Sequence, residues 1–150
     1  MAKKWLVYLS GEIHTDWRDR IQSGATSAGL DAIFSSPVTD HARSDDVGVD
    51  ILGAEENSFW HDRKGAGINA IRTQTLIKQA DVVVVRFGDK YRQWNAAFDA
   101  GYATALDKPV ITLHDSELNH ALKEVDAAAN ASCQTPEQVV EILQYVIQAN

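Results

Sequence analysis

Four consecutive valines, Val82 to Val85, stand between Asp81 and Arg86. A β-branched run with no polar alternation is a strand buried on both faces, as in a parallel sheet. Such a sheet is joined by crossover helices, not hairpins. The rest of the chain supplies them. Residues 5–9, Trp-Leu-Val-Tyr-Leu, form another short apolar strand, closed by Ser10-Gly11. Weaker strands are expected at 31–34, 110–113 and, as a short fifth, 130–133. A helix opens after Thr15, its expected cap, puts Trp17, Ile21 and Ala25 on one face, and ends at Gly29. Others are expected at 68–79, at 91–106 before Lys108-Pro109, and at 136–149 with Thr135 as cap. In the 91–106 helix, Trp94, Phe98, Gly101-Tyr102 and Ala105 form the apolar stripe, and many small residues allow close packing on the sheet. The alternation predicts one α/β domain over 1–150, a three-layer α/β/α sandwich with a parallel sheet of four to five strands.

Ligands of such sheets sit beyond the carboxyl ends of the strands. The candidate positions are therefore residues 8–14, 35–66, 86–94 and those from His114 onward. Residues 35–66 lack a clear period apart from a helical turn near 46–52, and read as a functional or mobile loop. Phe59-Trp60 inside that polar stretch argues for packing, for example as a lid over a flat ligand.

The Lys+Arg total of 14 against 21 Asp+Glu gives a net charge of −7, which speaks against duplex DNA and anionic membranes as partners. No apolar run of about 18 residues is present, and the apolar run before Ser10 is too short for a signal-peptide core. A soluble, cytoplasmic protein is expected. Cys133 is the single cysteine, and the five histidines show no metal-ligand spacing, so no metal and no cofactor is expected. The serines lack a nucleophile-elbow context.

Two readings stay open for Ser10-Gly11-Glu12: a tight turn into a helix, or backbone N–H groups facing an anion. The turn lacks the glycine patterns of dinucleotide folds and nucleotide triphosphatases. Asp81 reads as a turn or cap residue, or as a functional acid. Asp99 is the least expected residue of its helix. An acid among Ala96, Ala97, Phe98 and Gly101 is either solvent-exposed or a carboxylate in a partly apolar cleft, the setting of nucleophiles and general bases.

The stretches Tyr8-Leu9-Ser10-Gly11-Glu12-Ile13-His14, Asp16-Trp17-Arg18, Asp40-His41-Ala42-Arg43-Ser44-Asp45, 80–88 and 91–103 resemble the YtoQ family of nucleoside 2-deoxyribosyltransferase-like proteins. The resemblance spans nearly the whole chain and is most specific at 80–110. It implies a Rossmann-like, flavodoxin-like fold and cleavage or transfer at the N-glycosidic bond of a deoxynucleoside or nucleotide. The superfamily pattern, roughly G-T-x-x-E-x-G-x-A, sets Asn95 at the glycine and Asp99 at the nucleophilic glutamate. Gly101 and Ala103 match it. Asp81 matches the aspartate that opens the third strand, and Tyr8 and Gly11 match the first strand and its turn. Aspartate is one methylene shorter than glutamate, which withdraws its oxygens by roughly 1 Å, a displacement that costs catalysis about 10²-fold when uncorrected.

The resemblance thus implies Asp99 and Asp81 as catalytic residues, with Asp45 as another candidate second acid. Tyr8, Ser10, Gly11, Glu12, Arg43, Asp45, Phe87, Gly88, Trp94 and Asn95 are the expected substrate-binding residues. The partner is a small-molecule nucleoside or nucleotide, and a homo-oligomer is implied, with sites completed by a neighbouring subunit. A non-catalytic nucleotide or nucleotide-sugar binding domain is the alternative. A structural protein with tryptophan interface anchors has less support. The expected site brings Tyr8, Gly11, Asp81, Asn95 and Asp99 into one pocket.

Overall fold

The computed structural model describes residues 3–148. Strand β1 (Trp5–Gly11) leads into α1 (Trp17–Ser27), then β2 (Ala32–Ser35), α2 (His41–Leu52) and α3 (Ser58–Gln79). There follow β3 (Val82–Arg86), α4 (Trp94–Ala105), β4 (Val110–Leu113), α5 (Lys123–Ala128), β5 (Ala131–Cys133) and α6 (Pro136–Gln148). The sheet runs β2-β1-β3-β4-β5, every pair parallel, with the valine strand at its centre. This is the expected three-layer α/β architecture.

Strand alternation divides the core. Val7, Leu9, Val84 and Leu113 pack with Trp17, Ile21, Val139 and Leu143 on one side. Tyr8, Val83 and Val85 pack with Ile77, Ala96, Ala100 and Ala103 on the other. Each fully buried Val or Leu contributes about 1.5–3 kcal/mol relative to exposure. The C-terminal helix matches its expected start, with Thr135 Oγ1 accepting from Gln138 N at 3.3 Å; the expected end at Ala149 lies outside the described residues.

Three expectations need correction. The 35–66 stretch is not a loop: α2 and the first half of α3 form a helical hairpin, hereafter the arm. Asp40 caps α2 by accepting from Arg43 N (3.0 Å), and Asn57 caps α3 by accepting from Trp60 N (3.2 Å). The apolar period is weak because α2 finds its main partner in α3 and not in the sheet. The two helices cross at glycines, where a Cβ on Gly48 would stand 2.6 Å from Lys64 Cβ.

The stripe of α4 is also reversed. Trp94 and Phe98 are 73% and 64% exposed, whereas Ala96, Ala100 and Ala103 are buried. The helix lies so close to β3 and β1 that only methyl groups fit beneath it. Thr15, finally, does not cap α1. Its N–H and hydroxyl both donate to the Glu12 carboxylate, and Asp16 takes the cap position.

Candidate active site

The sheet order reverses between β1 and β3, because β2 lies to one side of β1 and the later strands lie to the other. The carboxyl ends of strands at such a switch point form a crevice. Here it is a cleft of about 940 Å³. One wall is the end of β1 with the start of α4: Gly11, Glu12, His14, Trp94, Asn95 and Asp99. The facing wall is the arm, with His41 and Asp45, continued by the next turns of α3 with Asn69, Arg72 and Thr73.

The sheet-side wall is built by close approach. Gly11 has φ +111°, and a Cβ there would stand 2.1 Å from the Arg86 carbonyl oxygen. Only glycine lets the β1 end pair with Arg86 and then turn. Arg18 fixes that turn from below, donating to the carbonyls of Leu9 (3.1 Å), Gly11 (3.1 Å) and Glu12 (2.6 Å). Burial lowers its pKa to about 10. The Glu12 carboxylate is consumed within the turn, accepting from His14 N, Thr15 N and Thr15 Oγ1. Gly88 makes room for it, since a Cβ there would meet Glu12 Cγ at 2.6 Å.

Asp99 reaches this wall from α4. Ser10 Oγ donates to its Oδ2 at 2.6 Å. Burial raises the Asp99 pKa, and the Ser10 hydrogen bond opposes the rise without cancelling it. Tyr8, fully buried beside Asp99, closes no hydrogen bond with its hydroxyl, although Thr73 lies near it. Burial foremost, with the Asp99 charge, pushes the phenol up to about 12. The cleft floor therefore holds a desolvated carboxylate gripped by the Ser10 hydroxyl, with the buried Tyr8 phenol close enough to feel its charge.

Of the residues named from the sequence, Gly11, Glu12, Asp45, Trp94, Asn95 and Asp99 line the cleft, with Tyr8 and Ser10 directly beneath Asp99. The others do not. Asp81 lies at the start of β3, on the opposite edge of the sheet, where its carboxylate accepts from Lys3 Nζ (2.6 Å) and Leu6 N (2.9 Å). Burial would raise its pKa, but these two hydrogen bonds outweigh it and the pKa falls below the ordinary value. It joins the N-terminal ends of β1 and β3 and cannot reach Asp99.

Phe87 is a core residue, 3% exposed, edge-on to His114. His114 is itself buried, with Nδ1 against the Asp115 carbonyl (2.9 Å) and Nε2 against Asp126 (2.9 Å). Gly88 serves Glu12, and Arg43 is outside the cleft lining. Phe59 and Trp60, the expected lid, stack edge to face on each other and are absent from the lining. Sequence reasoning placed Arg72 and Thr73 on the expected 68–79 helix but did not see that this part of α3 faces the cleft. Arg72 is steadied by its Nε donating to the Ser36 carbonyl (3.2 Å). Their polar spacing on an otherwise helical stretch was the available signal.

Among the described residues, no group of His, Cys, Asp and Glu is arranged to hold a metal, and no helix is long and apolar enough to cross a membrane.

The chain is 41% identical over 145 residues to the Bacillus subtilis (strain 168) protein called uncharacterized protein YtoQ, covering 97% of this chain and 98% of that one. A 2-deoxyribosyltransferase from Bacillus psychrosaccharolyticus shares the fold, with a TM-score of 0.54, 17% identity and 90% of each chain covered. A conserved protein from Enterococcus faecalis V583 superposes with a TM-score of 0.66 at 12% identity, over 96% of this chain and 99% of that one. A sequence model of the family described as nucleoside 2-deoxyribosyltransferase YtoQ matches residues 8–147, and with that span covered the chain belongs to this family.

Proposed function

We propose that the cleft binds a deoxynucleoside or deoxynucleotide and that the protein cleaves or transfers its N-glycosidic bond, with Asp99 meeting the anomeric carbon. The observation that carries this is the half-buried Asp99 carboxylate, which lines the cleft at the β1–β3 switch point and, among the described residues, is hydrogen-bonded only by Ser10. A desolvated carboxylate stabilises a developing oxocarbenium ion more strongly than a hydrated one, because the local dielectric is low. It attacks to form a glycosyl-enzyme, or it orients water.

The departing base needs a proton. With Asp81 on the far edge of the sheet, Asp45 of the arm is the acid we assign to that step, paired with His41 Nδ1 at 3.5 Å. The exposed rings of Trp94 and Phe98 at the cleft mouth supply flat apolar area suited to a base. The same exposed rings support a homo-oligomer, since large apolar patches mark interfaces. Sedimentation at micromolar concentration checks this, and a pure monomer refutes it.

The test is incubation with each deoxynucleoside and deoxynucleotide, with and without a second free base, followed by chromatography. Base release or exchange that disappears in Asp99→Ala supports the reading. Ligand-induced thermal stabilisation without any turnover supports a binding domain instead, an outcome favoured by the distance of Asp81 from the cleft.

A further inference from the structure

We infer that Ser10 is a positioning residue for Asp99: its hydroxyl grips Oδ2 and leaves Oδ1 to the ligand. This rests on the reading of Asp99 as the group that meets the sugar. Side chains of β1 alternate, so Val7 and Leu9 enter the core beneath α1 and α6 while Tyr8 and Ser10 face α4. Ser10 is fully buried, and its single hydroxyl proton is committed to Asp99 at 2.6 Å. That is the length of a charge-assisted O–H···O⁻ bond. Asp99 Oδ1 accepts no hydrogen bond among the described residues, although the residue lines the cleft. The small face of α4, Ala96, Ala100 and Ala103, brings the helix near enough to β1 for a serine and an aspartate to span the gap.

The surroundings leave Ser10 as the dominant partner. Asp99 is the only charged residue of α4. From β1, Tyr8 is close but closes no hydrogen bond. From α3, Arg72 and Thr73 lie around the Tyr8 hydroxyl. On β3, Arg86 follows the alternation of Val82 and Val84 to the opposite face, and β4 carries no charge. On α5, Asp126 is engaged by His114 and Thr112. Burial pushes Asp99 towards its neutral form, and the Ser10 hydroxyl pulls it back towards the ionised form that the chemistry uses.

The experiment is a carbon-13 titration of the Asp99 carboxyl in the full chain, with its resonance assigned by its loss in Asp99→Asn. In Ser10→Ala the midpoint should rise by about one pH unit, since a hydrogen bond to a charged group is worth about tenfold or more. Ser10→Thr keeps the hydroxyl and should return the midpoint to near the wild-type value. If Ser10→Ala does not fold, Ser10→Cys, a weaker donor of similar size, should give a smaller rise in the same direction. An unmoved midpoint in a folded hydroxyl-less variant overturns the inference, as does a Ser10→Thr midpoint equal to that of Ser10→Ala. In turnover, kcat of Ser10→Ala should fall about tenfold with KM little changed, and the acid limb should move up in step with the midpoint. A shifted midpoint with no turnover by the wild-type protein of any deoxynucleoside leaves the grip of Ser10 standing and fails the glycosidic reading alone.

Discussion

The two walls of the cleft are made by different means. The sheet-side wall is over-determined: Gly11 is pinned against Arg86, Arg18 holds three carbonyls, Glu12 closes the turn, and Ser10 meets Asp99. The arm is held by two Asx caps, a glycine crossing and exposed ion pairs such as His41 with Asp45 and His61 with Asp46. Exposed pairs contribute about 0–1 kcal/mol each. A rigid wall suits a group that must be placed to within about half an ångström, and a self-packed arm suits admission and shaping of a ligand.

The largest effects separate the walls by chemistry. Asp99→Ala should lower kcat by about 10³-fold or more, equivalent to about 4 kcal/mol of transition-state stabilisation. Asp45→Asn should lower it by about ten- to hundredfold, because water can replace a proton donor on an open wall. Steady-state kinetics on both variants checks this, and an equal loss in the two would erase the distinction. The pH profile sharpens it. With Asp99 as the catalytic carboxylate, its raised pKa should set the acid limb of kcat/KM above the ordinary value of an aspartate. A carboxyl with a raised folded pKa binds protons more tightly in the native state, so stability falls as pH rises from the unfolded to the folded value. Asp99→Asn removes that penalty and should raise Tm at pH 7 while abolishing turnover.

Next in size is a pair of glycine substitutions. Gly11→Ala combines φ +111° with a 2.1 Å approach to backbone, and should cost about 3 kcal/mol or more in denaturant unfolding. Gly67→Ala, in the exposed middle of α3 with open space around it, should stabilise by about 0.5–1 kcal/mol. Destabilisation by both would mean that the arm is as tightly constrained as the sheet.

The same contrast explains what the sequence could reveal. The sheet was legible because Val82–Val85 and Val7–Leu9 are buried on both faces, and burial writes itself as composition. The floor was legible through Asp99, an acid with no packing reason to sit among alanines. The arm was illegible because a helix packed mainly on one other helix needs no full apolar face, so α2 and early α3 read as loop. The stripe of α4 misled for a related reason: large apolar residues mark the core only when the helix stands off far enough to admit them. Asp81 misled because its match to the family pattern fixes its place in the sequence and not the edge of the sheet on which it lies.

Asp81 gives an intermediate prediction that stays off both walls. Asp81→Ala strands the Leu6 N–H and releases Lys3, at a cost of about 1–2 kcal/mol, with kcat unchanged. Because the folded pKa of Asp81 is depressed, its contribution is present above the unfolded value and is lost as pH falls through the folded one. A fall in kcat at constant KM would return Asp81 to the chemistry.

The smallest expected effect lies in the arm. Hydrogen bonding to Asp62, and then to Asp46, raises the pKa of His61 despite some opposing desolvation. Nε2 of His61 on α3 faces Asp46 on α2 at 3.2 Å, so the protonated ring links the two helices. A histidine whose folded pKa is raised stabilises fully below the unfolded value near 6.5, and the contribution is lost as pH rises through the folded value. The arm should therefore loosen between mildly acidic and mildly alkaline pH while the sheet does not. Hydrogen exchange, corrected for the intrinsic pH dependence of the amides, should show protection falling in α2 and early α3 and constant in β1 and β3. His61→Gln should flatten the response. An arm that loosens just as much in that variant would show that another group governs it, and the ring would then be a passive occupant of the helix crossing.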